Sequence, residues 1–153
     1  MIVLLLFALG LTCVTVLIHA LATWEAIMHL FRDRPQRKGI LTTEILIVRV
    51  VTIMLLLHLV EAGIWAGFYR IAGVLPELET AIYFSITSYT TMGYGDVVLP
   101  ARWRLLGPIE GAVGILMFGW STAILVAVIT RIGHRLVRGT EAEGNEKEIQ
   151  RPG

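Results

Sequence analysis

One run of residues, Thr90-Thr91-Met92-Gly93-Tyr94-Gly95-Asp96, carries the chemistry that stands out in this chain. Backbone carbonyls on an extended strand can replace the water around a dehydrated cation. Gly93 and Gly95 suit such a strand, because glycine populates positive φ at no steric cost. The hydroxyl of Thr91 adds another oxygen. The run therefore predicts an ion-binding site made by Thr91, Met92, Gly93, Tyr94 and Gly95.

The composition is that of a membrane protein. The 153 residues are 56% hydrophobic and their mean hydropathy is +0.73, which is more apolar than a soluble domain of this length would be. Cys13 is the single cysteine, so an internal disulfide is excluded. The net charge of +1 gives no indication of a nucleic-acid partner.

Three apolar segments are each long enough to cross a bilayer, whose core needs about 20 helical residues. We expect an additional first helix in residues 1–30, a cytoplasmic loop in 31–44, and further spanning helices in 45–69 and 107–132. Residues 78–90 are too short to span and predict a re-entrant helix. The glutamate-rich residues 139–153 are expected to form a disordered tail. The predicted fold class is an all-α membrane protein.

Five polar side chains fall at membrane depth in the first two spans: His19, Glu25, Arg49, His58 and Glu61. Charges there cost about 2.5–3.5 kcal/mol on insertion scales, so these groups should face protein and pair. A hairpin about the 31–44 loop would place Glu25 near Arg49 and His19 near His58. We favour polar contacts between helices. A proton sensor and a metal site at His19, His58 and Glu61 are the alternatives, and no ligand spacing supports the metal.

The Thr-Thr-x-Gly-Tyr-Gly-Asp run, with a short helix before it and a glycine-bearing apolar helix after it, resembles the selectivity filter of the tetrameric potassium-channel pore domain. The resemblance is in particular to the small bacterial ion-channel proteins of that family. It covers roughly residues 45–135 and implies a pore domain at 45–138. It implies that the carbonyls of Thr91, Met92, Gly93 and Tyr94 coordinate K⁺ and that four copies surround the ion. Met92 stands where the family usually has valine, so we expect altered packing behind the filter.

The resemblance also implies supporting roles. Residues 91–96 form the filter, with Asp96 at its outer end and Thr90 leading into it. Tyr83 and Phe84 occupy the positions of an aromatic cuff. Thr87 stands where some relatives carry a carboxylate, so Asp96 is expected to lack a carboxyl partner.

Glycines of the third span have two interpretations. Gly114 matches the family's gating hinge, with close helix packing as the alternative. For Gly119 packing is favoured and a hinge is the alternative. In the outer loop, Arg102 and Arg104 are expected to be solvated, or else paired with Glu77 or Glu110.

We therefore expect a potassium-selective channel subunit, not an enzyme, that conducts K⁺ passively as a homotetramer in the lipid bilayer of the inner cell membrane, without a cofactor. The basic 31–44 loop and the arginines that follow the third apolar span place the C-terminus in the cytoplasm and the N-terminus outside. The alternatives are a non-conducting accessory subunit, a membrane scaffold or sensor, and a weakly selective cation channel.

Overall fold

The computed structural model describes residues 1–32 and 40–149, with side chains described for 1–28 and 44–134. This part of the chain forms four helices and no strand: α1 (Ile2–Arg32), α2 (Ile40–Ile71), α3 (Leu78–Tyr89) and α4 (Leu106–Ile149). Three stretches are long and apolar enough to cross a membrane: Ile2–Met28, Glu44–Ile71 and Leu106–His134. The all-α membrane architecture predicted from the sequence is thus confirmed.

Helix α1 has one inward face and a broad apolar surface. Its buried side chains recur at spacings of four or seven residues, which places them on one side of the helix: Leu4, Ala8, Thr15, His19 and Thr23. Leucines such as Leu6 and Leu17 on the other side are exposed. Lipid tails are as apolar as leucine, so packing and hydrogen bonds must hold these helices together.

Helix α3 is the re-entrant helix. Its 12 residues extend about 18 Å, well short of a hydrocarbon core of about 30 Å. It packs between α2 and α4, and the Ser85 hydroxyl donates to the Ala62 carbonyl of α2 at 2.6 Å. Irregular backbone at membrane depth is tolerated when it is buried in protein, and this position provides part of that burial.

A stripe of glycines brings α4 against α3. A methyl group on Gly107 would lie 3.1 Å from the Phe84 ring, and one on Gly111 would lie 3.0 Å from the Ser88 carbonyl oxygen. At Gly114 the distance to the Tyr89 carbonyl oxygen would be 1.9 Å. These glycines therefore set the distance between α4 and the C-terminal end of α3.

Two predicted boundaries differ from the structure. Helix α4 continues to Ile149, so residues 139–149 are helical where a disordered tail was predicted, and 150–153 lie outside the described residues. A helix that is already formed gains a hydrogen bond with each added residue, and the glutamates and lysine of this segment are good helix formers. The predicted 31–44 loop is longer than the interval between the helices, because α1 ends at Arg32 and α2 begins at Ile40. Residues 33–39 lie outside the described residues.

Candidate ion-binding site and buried polar network

The predicted filter follows directly from the end of α3. The Thr91 N–H donates to the Ser88 carbonyl at 2.9 Å, and the Gly93 N–H donates to the Thr87 carbonyl at 3.1 Å. The chain thus turns back over the last turn of α3 and satisfies carbonyls that the helix leaves free.

The backbone of this loop alternates in handedness. Thr91, Gly93 and Gly95 have φ of 58°, 53° and 80°, whereas Met92 and Tyr94 between them do not adopt positive φ. The two glycines adopt the conformation that their residue type suggests. Thr91 was not expected to do so, because positive φ is unfavourable for a β-branched residue. Such a conformation costs about 1–3 kcal/mol, and residues of this kind cluster at functional sites.

Asp96 has a hydrogen-bond partner that the sequence did not reveal. The Tyr83 hydroxyl donates to its Oδ2 atom at 2.7 Å. This hydrogen bond lowers the pKa of Asp96 and raises the pKa of Tyr83. Thr87 does not reach Asp96, since its hydroxyl donates to the Phe84 carbonyl at 3.0 Å. The Tyr83 hydroxyl is therefore the partner of Asp96, whereas in some relatives a carboxyl group at the position of Thr87 is expected to take that role.

The other predicted supporting residues lie around α3. Phe84 is buried, with its ring edge-on to Tyr69 at 5.4 Å between centroids. The Thr90 hydroxyl donates to the Ile86 carbonyl at 2.6 Å and so caps the helix end. Of the two cuff positions, Phe84 packs into the chain's own core, whereas Tyr83 is exposed on the surface of the single chain.

Three of the five predicted polar residues meet in one buried cluster. His19 Nδ1 lies 2.8 Å from Glu61 Oε1, and His58 Nδ1 lies 3.3 Å from Glu61 Oε2. The two imidazole rings stack at 5.5 Å between centroids. The hairpin expectation that His19 lies near His58 is confirmed.

Two residues that were not singled out complete the cluster. The Tyr89 hydroxyl, at the end of α3, donates to Glu61 Oε2. The Ser121 Oγ atom, on α4, lies 3.1 Å from His58 Nε2 and 3.4 Å from His19 Nε2. The polar network therefore joins all four helices.

The predicted pair of Glu25 and Arg49 is wrong. Both side chains are exposed, and no ion pair joins them in the described part of the chain. The contacts Thr15–Trp65 and His19–Glu61 set a hairpin register that places Arg49 about six residues, or roughly 9 Å, from the position opposite Glu25.

Glu110 is buried where the sequence allowed an outer-loop ion pair. It accepts a hydrogen bond from the Tyr69 hydroxyl at 2.7 Å, and its Oε1 atom shares the single Ser85 hydroxyl proton with the Ala62 carbonyl. Arg102 and Arg104 are exposed, as the solvated interpretation holds, and the Arg102 guanidinium lies over the Trp103 ring at 5.6 Å. The one sequence signal that separates Glu110 from a loop glutamate is its position one turn inside the third apolar span.

His19, His58 and Glu61 are also the one group in the described chain with enough metal-ligating atoms close together, all within 4.8 Å. Two imidazoles and a carboxylate are donors that zinc accepts. However, the two Nδ1 atoms and both carboxylate oxygens already take part in hydrogen bonds. The arrangement therefore favours a hydrogen-bonded network over a metal centre.

The two candidate hinges differ in their surroundings. Gly114 needs to be glycine because of its contact with the Tyr89 carbonyl, so packing alone explains its identity. Gly119 has no neighbouring atom within 4 Å of an added methyl group. The packing interpretation thus applies to Gly114 and not to Gly119 within one chain, and a hinge at either glycine stays a prediction.

The comparisons with known proteins agree with the architecture. No curated protein and no solved structure matches the chain. A family model described as "Ion channel" matches residues 45–131, which contain most of α2, all of α3, the 91–96 loop and the spanning part of α4. The match extends over more than half of the chain, and the chain therefore belongs to this ion-channel pore-domain family.

Proposed function

We propose that this chain is the subunit of a potassium-selective channel that conducts K⁺ passively. The observation that carries the proposal is the loop at residues 91–95, where positive φ recurs at every second residue. In a β-strand successive residues face opposite sides. A backbone that alternates in handedness can instead turn successive carbonyls to one side, as ion coordination requires.

The position of α3 supports the same function. The loop follows its C-terminal end, where the helix dipole is negative. A cation bound by the carbonyls of Thr91, Met92, Gly93 and Tyr94 would lie near that end. Tyr83 would steady the outer end of the loop through Asp96.

A homotetramer is proposed because one chain leaves the loop uncovered. Met92 and Tyr94 are 60% and 66% exposed. Between the loop, α3 and α4 lies a cavity of about 500 Å³, lined by residues that include Thr87, Tyr94 and Ala112. Irregular backbone at membrane depth must be covered by protein or line a water-filled cavity. Neighbouring copies would supply that cover and complete a ring of carbonyls.

The chain is a multi-pass membrane protein with three candidate spans. We place it in the inner cell membrane with the C-terminus in the cytoplasm, because arginines follow the third apolar span. An odd number of spans then puts the N-terminus outside. Residues 2–28 are the candidate span that precedes the matched residues 45–131.

K⁺ flux from liposomes that contain the purified protein tests the proposal. Wild-type protein is expected to release K⁺. Gly95→Ala should abolish the flux while leaving the protein folded, because alanine is strained at φ of 80°. Gly63→Ala is the matched control, since an added methyl group there meets no atom within 4 Å. Folded wild-type protein without flux would refute the proposal and favour the accessory-subunit or scaffold alternatives.

A further inference from the structure

The buried cluster contains a closed ring of hydrogen bonds. The contacts run from His19 Nδ1 to Glu61 Oε1 (2.8 Å), from Glu61 Oε2 to His58 Nδ1 (3.3 Å), from His58 Nε2 to Ser121 Oγ (3.1 Å), and from Ser121 Oγ back to His19 Nε2 (3.4 Å). All four residues are buried. Each contact needs one proton between its two atoms.

Ordinary protonation states supply too few protons for this ring. Two neutral imidazoles carry one ring proton each, the serine hydroxyl carries one, and an ionised carboxylate carries none. Four contacts therefore have three protons. A fourth proton satisfies every contact, whether it resides on His19 Nδ1 or on Glu61 Oε1. The structure assigns this cluster as a proton-binding site that holds one dissociable proton between His19 and Glu61.

The charge of the cluster supports the same assignment. With the fourth proton the two histidines, Glu61 and Ser121 are neutral overall, and without it they carry one buried negative charge. Buried unpaired charge is costly. Aromatic rings pack against the cluster: the ring centroids of Phe118 and His58 are 4.1 Å apart, and those of Trp120 and His19 are 5.4 Å apart.

Among the side chains of residues 1–28 and 44–134, the charged groups named below do not replace this proton. From α3, Tyr89 donates its own proton to Glu61. From α4, Glu110 is near enough to act electrostatically on Tyr89, and its carboxyl group adds no positive charge. Glu25 of α1 and Arg49 of α2 are exposed, and no ion pair connects either of them to the cluster among the described side chains.

This proton affects how α1, α2 and α4 are held together beside the candidate filter. Without it, one histidine Nε2 atom and the Ser121 oxygen face each other with no proton between them, so the contact of α4 with α1 or with α2 weakens. Tyr89 links Glu61 to the end of α3, two residues before Thr91. An effect on conduction rests on the proposed channel function, whereas the proton site itself does not.

Histidine ¹⁵N NMR of the protein in lipid or detergent tests the site without any conduction measurement. The double variant His29→Gln, His134→Gln leaves only the two cluster rings observable, since the chain has four histidines. Across about pH 5 to 9, which brackets the ordinary histidine pKa near 6.5, we expect both rings to respond in one step with a common midpoint. Two independent midpoints, or ring signals that do not change across this range, would overturn the assignment.

Ser121→Ala provides the second measurement. It removes two of the four contacts, and the two that remain are satisfied by neutral imidazoles, so the fourth proton is no longer needed. We expect the midpoint to fall by about one pH unit, a tenfold weaker proton affinity. Thr122→Ala is the matched control, because the Thr122 hydroxyl donates to the Phe118 carbonyl outside the ring, and its midpoint should equal that of the unsubstituted protein. Equal midpoints for Ser121→Ala and Thr122→Ala would overturn the closed ring.

Discussion

Replacing Gly114 by alanine tests whether the contact between α4 and α3 positions the candidate filter. The added methyl carbon would lie 1.9 Å from the Tyr89 carbonyl oxygen and 2.9 Å from its carbonyl carbon. Ordinary contact begins at 3.4 Å, so relief needs about 1.5 Å of movement. Both atoms are backbone, so a side-chain rotation cannot provide this movement.

The expected cost follows from two opposing effects. Overpacking of this kind costs about 1–3 kcal/mol, occasionally more. Gly119→Ala is the matched control on the same helix, where an added methyl group meets no atom within 4 Å and alanine gains up to about 1 kcal/mol of helix propensity. Gly114→Ala has the same gain in helix propensity, so the gain cancels in the comparison, and we expect Gly114→Ala to be less stable than Gly119→Ala by about 1–3 kcal/mol.

The assay is reversible unfolding in mixed detergent micelles, with the free energy of unfolding followed by tryptophan fluorescence. K⁺ flux from liposomes gives the second readout, and Gly114→Ala should lower it because the end of α3 leads into residues 91–96. Equal stability for the two variants would refute the packing argument. If the two variants were equally stable and Gly114→Ala still altered channel opening, the hinge interpretation would replace the packing interpretation.

Three further outcomes follow from the side-chain contacts. Tyr83→Phe removes the hydrogen bond that lowers the pKa of Asp96. The stabilisation from this bond is complete above the ordinary aspartate pKa near 3.9 and is lost as the pH falls through the lowered value. The unfolding temperature of the variant should therefore fall less on acidification than that of the wild type. Neutral substitutions of Glu25 and Arg49 should have small effects on the free energy of unfolding that add in the double variant, and recovery of stability in the double variant would show that the two residues pair after all. Glu110→Ala should cost about 1–3 kcal/mol, because it leaves the buried Tyr69 hydroxyl without its acceptor, whereas Ser85 keeps the Ala62 carbonyl. A neutral result in the same unfolding assay would contradict that network.

Much of the architecture is predictable from length and hydropathy. A span needs about 20 apolar residues, and a 12-residue helix between two spans has to be re-entrant. The cost of polar groups in a bilayer likewise predicts that His19, His58 and Glu61 seek protein partners, and they meet as expected.

The remaining contacts depend on helix rotation and register, which single residues do not reveal. Tyr89 reaches Glu61 from α3, and Ser121 reaches both histidines from α4, so these contacts depend on how the two helices are rotated against α1 and α2. The expected Glu25–Arg49 pair does not form, because a shift of about six residues along the hairpin separates the two side chains. The positive φ of Thr91 could not be predicted from its residue type, because the hydrogen bonds at the end of α3 impose this conformation.

Bi-ionic reversal potentials, recorded from the purified protein in planar bilayers with K⁺ on one side and Na⁺ or Rb⁺ on the other, test the central claim most directly. Coordination by the carbonyls of residues 91–94 predicts that K⁺ and Rb⁺ permeate far better than Na⁺, with a reversal potential near zero for K⁺ against Rb⁺ and far from zero for K⁺ against Na⁺. Equal permeability of K⁺ and Na⁺ would contradict the account and would identify a weakly selective cation channel.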